Sequence, residues 1–294
     1  MKNNWGCYIN GNYQVRINLL NGTKIRENDL DNFTPNFPEC IDFKITNYCS
    51  GANCAYCHED SSPTGEHGDI LQQKFIETLM PYTELAIGGG NPLSHPDLVP
   101  FLEKCRNLKI ICNLTVNQIH FVSQHDLVVK LLDEKLIYGL GVSVTGDISH
   151  IYEDINKYPN IVLHTICGVM SIEDYKKMYD KGLKILILGY KHFRRGNDYF
   201  CDAVEQNQRD LFAEMPELIK HFKVVSFDNL AISQLDARRL MPKEQWDEFY
   251  MGDDGKYTMY IDGVNEKYVK SSVSTVRKDL LDNIVDMFID VRGQ

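Results

Sequence analysis

Three cysteines, Cys49, Cys54 and Cys57, fall within nine residues of the segment "NYCSGANCAYCHED" (47–60), and no fourth stands nearby. Thiolates are soft ligands that suit zinc or iron–sulfur clusters. In a C-x4-C-x2-C segment that loops, the three sulfurs can converge. Three protein ligands leave one position of a four-position site open. A structural zinc site is closed, whereas a catalytic one keeps an opening for substrate. The same logic carries to a four-iron cluster with one iron not held by protein. The withheld fourth cysteine therefore reads as a position kept for something that must react.

The remaining six of the nine cysteines (Cys7, Cys40, Cys105, Cys112, Cys167 and Cys201) are scattered and read as core. An odd count, with no basic-then-apolar leader in "MKNNWGCYINGNYQVRINLL", argues against a disulfide framework and for reduced thiols. No run of about 18 apolar residues exists, so no membrane span is expected and the chain reads as cytoplasmic. The net charge of −10 lacks the basic field of a general nucleic-acid binder, apart from a local "KHFRRG" at 191–196. With 294 residues, 43% hydrophobic and 24% charged, the chain is long enough for one large α/β domain.

The elements that must position the thiols follow from the apolar pattern. Residues 1–39 read as a β-ribbon, with a hairpin turn at Asn21-Gly22. From Cys40 to about 222, short apolar strands alternate with helical segments: "CIDFKIT", "TELAIGG", "KIICNLTVN", "YGLGVSVTG", "NIVLHTICGV" and "KILILGYK" are strands. Helices are expected over 69–80, 95–107, 123–135 (opened by Ser123), 147–158, 171–182 (capped by Ser171) and 208–222, the last interrupted by Pro216. Six βα units imply a parallel sheet with right-handed crossovers, buried on both faces, and an incomplete barrel. Residues 223–294 read as an extension over the open barrel, with a further strand, a helix, a hairpin over 255–274 and an amphipathic helix over 277–292. The fold class is thus α/β, a partial (β/α)6 TIM-type barrel with a β-hairpin at each end. Since the cysteines directly follow the first core strand, they fall at the strand C-termini, where such folds do chemistry.

At this point the chain resembles the radical SAM superfamily, over roughly 40–215. That family carries three cysteines after the first strand of a (β/α)6 partial barrel, usually spaced C-x3-C-x2-C; here Ser50-Gly51-Ala52-Asn53 is one residue longer. Tyr56 stands where the family has an aromatic near the cofactor adenine. "IGGGNPLSHPDL" (87–98) is similar to the family's GGEP segment, which implies that Gly89, Gly90 and Asn91 approach the methionine part of S-adenosylmethionine (SAM), with Asn91 replacing a glutamate. Asn117 at the end of the third strand and Ser143 on the fourth match positions that the family uses around SAM. The resemblance implies a [4Fe-4S] cluster on Cys49, Cys54 and Cys57, SAM on the open iron, and an electron donor such as flavodoxin or ferredoxin. It further implies a 5′-deoxyadenosyl radical that abstracts hydrogen from a peptide, protein, small metabolite or nucleotide.

Other segments fall at the same mouth. Lys191, Arg194 and Arg195 follow the sixth strand and could bind a carboxylate or phosphate of SAM or substrate. His58, His67 and Asp69 lie in a polar loop after the cysteines that is either solvated or a lid. The alternatives to catalysis are a zinc site completed by His58, or a [2Fe-2S] site completed by Cys105 or Cys112. Both would make the chain a non-catalytic metal protein, and neither explains the glycine segment.

Overall fold

The computed structural model describes residues 4–30 and 32–293; residues 1–3 and 31 of the expected ribbon lie outside it. The ribbon is a three-stranded antiparallel sheet, β1 (Trp5–Asn10), β2 (Tyr13–Asn18) and β3 (Lys24–Glu27). Gly22, at φ +75°, turns the chain between β2 and β3 as the Asn-Gly pair predicts.

Six strands follow in strict sequence order: β4 (Cys40–Thr46), β5 (Glu84–Gly89), β6 (Ile111–Asn117), β7 (Gly139–Ser143), β8 (Ile161–Ile166) and β9 (Lys184–Leu188). Each pairs in parallel with the next, and β10 (Val224–Phe227) continues the order beyond β9. On the other side of β4 lies β11 (Thr258–Asp262), also parallel. The antiparallel β12 (Lys267–Val269) and β13 (Lys278–Asp279) complete that edge. β10 and β13 stand at opposite edges, so the sheet is open: a partial barrel.

The two faces of the strands differ. Ile41, Phe43, Ile45, Leu85, Ile87, Leu114, Val116, Leu140, Val142, Leu163, Ile185 and Ile187 are buried in one hydrophobic core with helix residues such as Phe101, Leu131 and Leu211. The alternate residues, among them Asp42, Lys44, Ala86, Thr115, Ser143 and His164, line a cavity. The expectation of strands apolar on both faces is therefore corrected. Period-two alternation puts the polar residues inward, where a cavity replaces packed core.

Three local expectations differ. Residues 69–80 form only a short 3-10 turn, Lys74–Thr78. The apolar residues Ile70, Phe75, Ile76 and Leu79 are buried but do not share one helical stripe. Tertiary partners also take the backbone carbonyls, His95 that of Gly68 (2.9 Å) and Lys104 that of Leu71 (3.3 Å). Ser123 ends a helix, Gln118–Ser123, and the next runs His125–Asp133; Asn117 provides the N-cap. The final helix is Ile284–Arg292, because Asn283 caps it through Val285 N (2.8 Å) and the residues before it form the sheet edge. By contrast, Pro216 is accommodated inside Asp202–Leu218, and Ser171 caps Ile172–Lys176 as its sequence position indicates.

The ribbon is fastened to the start of the barrel strands by a buried ionic network. Glu39 accepts from Arg26 Nε (2.8 Å) and Tyr13 OH (2.7 Å), and Lys24 spans Glu39 (3.5 Å) and Glu84 (2.5 Å). Arg26 also lies 3.6 Å above the Tyr257 ring. Tyr8, Tyr13, Val15, Phe37 and Tyr257 form a small second core beneath it.

Candidate active site

The chain leaves β4 at Thr46 and enters the cysteine loop. That loop folds back beside its own start: Cys49 N donates to Ser62 O (2.9 Å), Asn47 N to Glu66 O (2.7 Å), and Thr46 Oγ1 pairs with His67 Nδ1 (2.9 Å). Between Cys49 and Cys54 the spacer turns at Gly51, which has φ +88° and open space at its missing Cβ. Ser50 O is held by His120 Nε2 (2.8 Å), and Ala52 O accepts from Cys49 Sγ (3.7 Å). On the far side, Arg195 clamps the loop through Ser61 O (2.6 Å), Asp60 (2.8 Å) and Asn53 Oδ1 (3.4 Å).

All three cysteines are free thiols on the wall of one cavity of about 470 Å³ at the C-terminal ends of the strands. Burial raises Cys49 and Cys54, and each is raised further by Cys57; Cys54, which also feels Cys49, is pushed up to about 11. As free thiols they favour the neutral form, and a bound cationic centre is what would stabilise three adjacent thiolates. Among the described residues, no His, Cys, Asp or Glu trio is grouped tightly enough to hold a metal ion as it stands. The donor chemistry nonetheless suits a thiolate-held cluster. Ser61 Oγ and His120 Nδ1, in residues of the same wall, are buried polar atoms without a protein partner.

The positions singled out in the sequence are placed as follows. Tyr56, Gly89, Gly90, Asn117, Ser143 and Lys191 line the cavity together with the cysteines. Tyr56 packs edge-on against Tyr199, with ring centroids 5.6 Å apart. Asn117 donates from Nδ2 to Cys54 Sγ (3.4 Å), while Ser143 is its register partner on β7. Gly89 and Gly90 are glycines for a further reason: an added Cβ would lie 2.3 Å from Thr46 O and 2.2 Å from Tyr48 O, respectively. They let the β5 loop run against the root of the cysteine loop, with Gly90 N donating to Thr46 O and Asn91 N to Tyr48 O. The glycine with free space at its missing Cβ is Gly88, also on the cavity wall.

Two expected positions lie outside the cavity lining. The buried Asn91 side chain accepts from Leu93 N (3.2 Å) and donates to Ser94 Oγ (2.7 Å) and Gln124 Oε1 (2.8 Å). Its role here is to cap a turn and join two loops. Arg194 donates to Glu59 O (2.6 Å) on the outer side of the cysteine loop. His67 and Asp69 are likewise not part of the cavity wall, whereas His58, Glu59 and Ser61 are.

The wall also holds residues that sequence reasoning passed over. Lys44 pairs with Glu59 (2.9 Å) and Asp262 (3.2 Å), and Tyr260 OH donates to Glu59 Oε1 (3.3 Å). Burial tends to raise Glu59, yet its bond to His58 and the Lys44 ammonium hold it well below the usual carboxylate range. Lys191 reaches Ser272 Oγ (2.8 Å) and His58 Nε2 (3.3 Å); burial and then Lys191 lower the pKa of His58, against the pull of Glu59. Asp42 is raised to about 6 and His164 lowered to about 4, both by burial in the barrel. Ala86, Thr115, His164 and Leu186 form the floor, since they also line a second cavity of about 400 Å³ that is bordered by the Asn18–Gly22 turn of the ribbon. Asp42 and Lys44 were within reach of the sequence, as two charges at alternate positions of an apolar strand. Asp254 and Tyr260 belong to the segment 251–262 expected to cover the open barrel, whereas Asp228 carried no such signal.

An open parallel barrel with its cavity and thiols at the strand C-termini is a scaffold for chemistry on a bound small molecule. Its fold is shared with Streptococcus suis SuiB. Against SuiB bound to S-adenosylmethionine the TM-score is 0.63 at 11% identity, covering all of this chain and 90% of that one. Against SuiB bound to the precursor peptide SuiA it is 0.66 at 12% identity, covering 99% and 88%. Against SuiB alone it is 0.61 at 13% identity, covering 100% and 90%. No family model and no curated protein sequence matches the chain. At these identities the likeness establishes the fold, along its whole length.

Proposed function

We propose that this chain is a radical SAM enzyme, with Cys49, Cys54 and Cys57 as the ligands of a [4Fe-4S] cluster and SAM in the adjoining cavity. The observation that carries the reading is the placement of three free thiols on one cavity wall at the strand C-termini. The fold supports it, since SuiB has this architecture and is bound to SAM in one of its structures. When bound, cluster and SAM together supply a 5′-deoxyadenosyl radical that takes a hydrogen atom from substrate.

The chain's own residues bind, orient and shield. Asn117 donates to a cluster thiolate; Tyr56, Gly88, Gly89, Gly90 and Ser143 form the wall against which SAM rests. Arg195, Arg194, His120 and the Lys44–Glu59 pair hold the loop that carries the cysteines. Lys191 contributes the cavity's positive charge near the loop Ser271–Val273. The electron comes from a flavodoxin or ferredoxin, and the enzyme acts in the cytoplasm. No helix is long and apolar enough to cross a membrane among the described residues.

For the substrate we favour a peptide or protein over a small metabolite, because SuiB, which the chain matches along its length, is bound to a precursor peptide. A non-catalytic zinc or iron–sulfur role leaves the large cavity beside the thiols without a purpose. Oxygen-free reconstitution with iron and sulfide, followed by dithionite and SAM, tests the reading. Iron bound and 5′-deoxyadenosine formed, both lost in Cys49→Ala, are expected. Neither iron nor SAM binding would overturn it.

A further inference from the structure

We propose that the lower half of the barrel is a binding site for an elongated apolar group of the substrate, entered past His164, with an uncharged hydrogen-bonding group of the substrate held at that neck. This rests on the reading of the upper cavity as the place where substrate reacts, and it adds a shape and a polarity of the substrate to that reading.

The interior of a closed parallel barrel is filled by layers of bulky branched side chains. Here the inward positions at mid-height are small: Ala86 on β5, Thr115 on β6 and Gly141 on β7, the last two being register partners. Gly139 stands one rung lower. The cavity of about 400 Å³ that results is of the size of a small-molecule pocket. Ala86, Thr115, His164 and Leu186 line both this cavity and the upper one, so a single layer of side chains separates the two.

His164 governs what can cross that layer. It projects inward from β8, with Ser143 on β7 as its register partner. Its ring lies over Gly141, where a Cβ would come 2.2 Å from Cε1 and 2.4 Å from Nε2. No described residue gives the ring or the Thr115 hydroxyl a hydrogen bond or an ion pair. Burial pushes His164 down to about 4, so at neutral pH it offers one N–H donor and one lone pair. A polar ring left unserved inside a barrel is destabilising, and an amide or hydroxyl of a ligand would relieve it.

Below the neck the wall has a different character. Leu19, Ile111, Val162, Leu186 and Val224 supply apolar surface. The charged and amide side chains there already have partners. Glu84 takes Lys24 (2.5 Å) and Asn113 Nδ2 (3.4 Å), Asn160 Nδ2 donates to Tyr138 O (2.9 Å), and Lys184 Nζ donates to Pro159 O. Asn18 and Asn21 accept from Leu20 N (2.9 Å) and Thr23 N (3.0 Å) within the ribbon turn. The lower space therefore suits hydrocarbon and not a charged group. A substrate that reaches from the thiols toward the ribbon is polar at the neck and apolar beneath it.

The test uses butanamide, hexanamide and octanamide, which share an uncharged head and differ in tail length. Binding to the full chain is measured by calorimetry at neutral pH for the wild type, Val162→Phe and His164→Leu. Of the two cavities Val162 lines only the lower one, and phenylalanine there fills part of it. In the wild type each added CH2 is expected to tighten binding about threefold. Val162→Phe should flatten that rise. His164→Leu should weaken all three amides about fivefold and leave the rise intact. Urea unfolding checks that the variants fold; Val224→Trp, at a position 44% exposed, is the second plug of the lower cavity should Val162→Phe not fold. No binding of any amide, no dependence on tail length, or the same dependence in the plugged variant overturns the site, and unchanged affinities in His164→Leu overturn the neck. Iron content and SAM cleavage in the same preparations separate the two claims. Intact SAM cleavage without a dependence on tail length sinks this site alone. A dependence on tail length, lost in the plugged variant, in protein that neither holds iron nor binds SAM keeps the site and sinks the proposed function.

Discussion

Asn117 serves the cysteine loop and a helix at once: Nδ2 donates to Cys54 Sγ at 3.4 Å, while Oδ1 accepts from Ile119 N at 2.9 Å as the N-cap of Gln118–Ser123. Only a side chain with both a donor and an acceptor can do both. Asn117→Asp should keep the cap and lose the donor. Asn117→Ala loses both, at about 1 kcal/mol for the cap. Both variants should reconstitute iron, and in both the cluster should be harder to reduce, because a hydrogen bond to sulfur favours the more negative state. Potentiometry on reconstituted protein reads this, and an unchanged potential in Asn117→Asp would count against the contact.

Neighbouring glycines should separate fold from cavity. Gly90→Ala places a Cβ 2.2 Å from Tyr48 O and should cost about 3 kcal/mol in urea unfolding. Gly88→Ala meets nothing within 4 Å, so its stability should change by less than about 0.5 kcal/mol, while its methyl enters the cavity proposed for SAM and should weaken SAM binding. The contrast fails if Gly88→Ala proves as unstable as Gly90→Ala.

Arg195 grips the cysteine loop by three separate groups, at Ser61, Asp60 and Asn53. Lysine offers one ammonium in place of a planar fork. Arg195→Lys should therefore resemble Arg195→Ala, with faster loss of iron to a chelator in both, and near-normal unfolding by urea.

The buried network under the ribbon makes stability pH-dependent in one direction. Burial would raise Glu39, but Arg26 and Lys24 hold it below its ordinary value. Its contribution is therefore fully present above the unfolded carboxylate range and is lost as pH falls through the lower folded value. Glu39→Gln strands Arg26, while Lys24 keeps Glu84, and should cost about 3 kcal/mol at neutral pH, with the difference from wild type shrinking in acid.

Asp42 should act with the opposite sign. Its folded pKa of about 6 lies above the ordinary carboxylate value, so it contributes stability below the unfolded value that is lost as pH rises through about 6. In protein without cofactors, Asp42→Asn should gain on the wild type between pH 4 and pH 7 and run parallel to it above. A gain that instead grows toward acid would contradict the assigned direction.

Much of this was legible locally. The order of β4 to β9 follows from short apolar segments punctuated by turns and caps, because period-two strands and capped helices are local properties. The thiols and their place after the first core strand were equally visible, as was the Asn21-Gly22 turn. The helix expected over 69–80 did not form, since Ile70, Phe75 and Ile76 were buried by tertiary contacts that do not need a helical stripe.

What the tertiary structure decided are the neighbours that sequence distance hides. β11 lies parallel beside β4, more than two hundred residues earlier, and only that pairing sets Tyr260 against Asp42 and Asp262 against Lys44. Gly89 and Gly90 owe their lack of a side chain to the Thr46–Tyr48 backbone. Arg194 and Arg195, two adjacent cations in the sequence, hold neighbouring residues of the cysteine loop, Glu59 and Ser61, and of the two Arg195 lines the cavity. Strand alternation says that Asp42 faces away from Ile41 and Phe43. Whether that face meets solvent, core or a cavity depends on how the sheet curls, and curvature is a property of all the strands together.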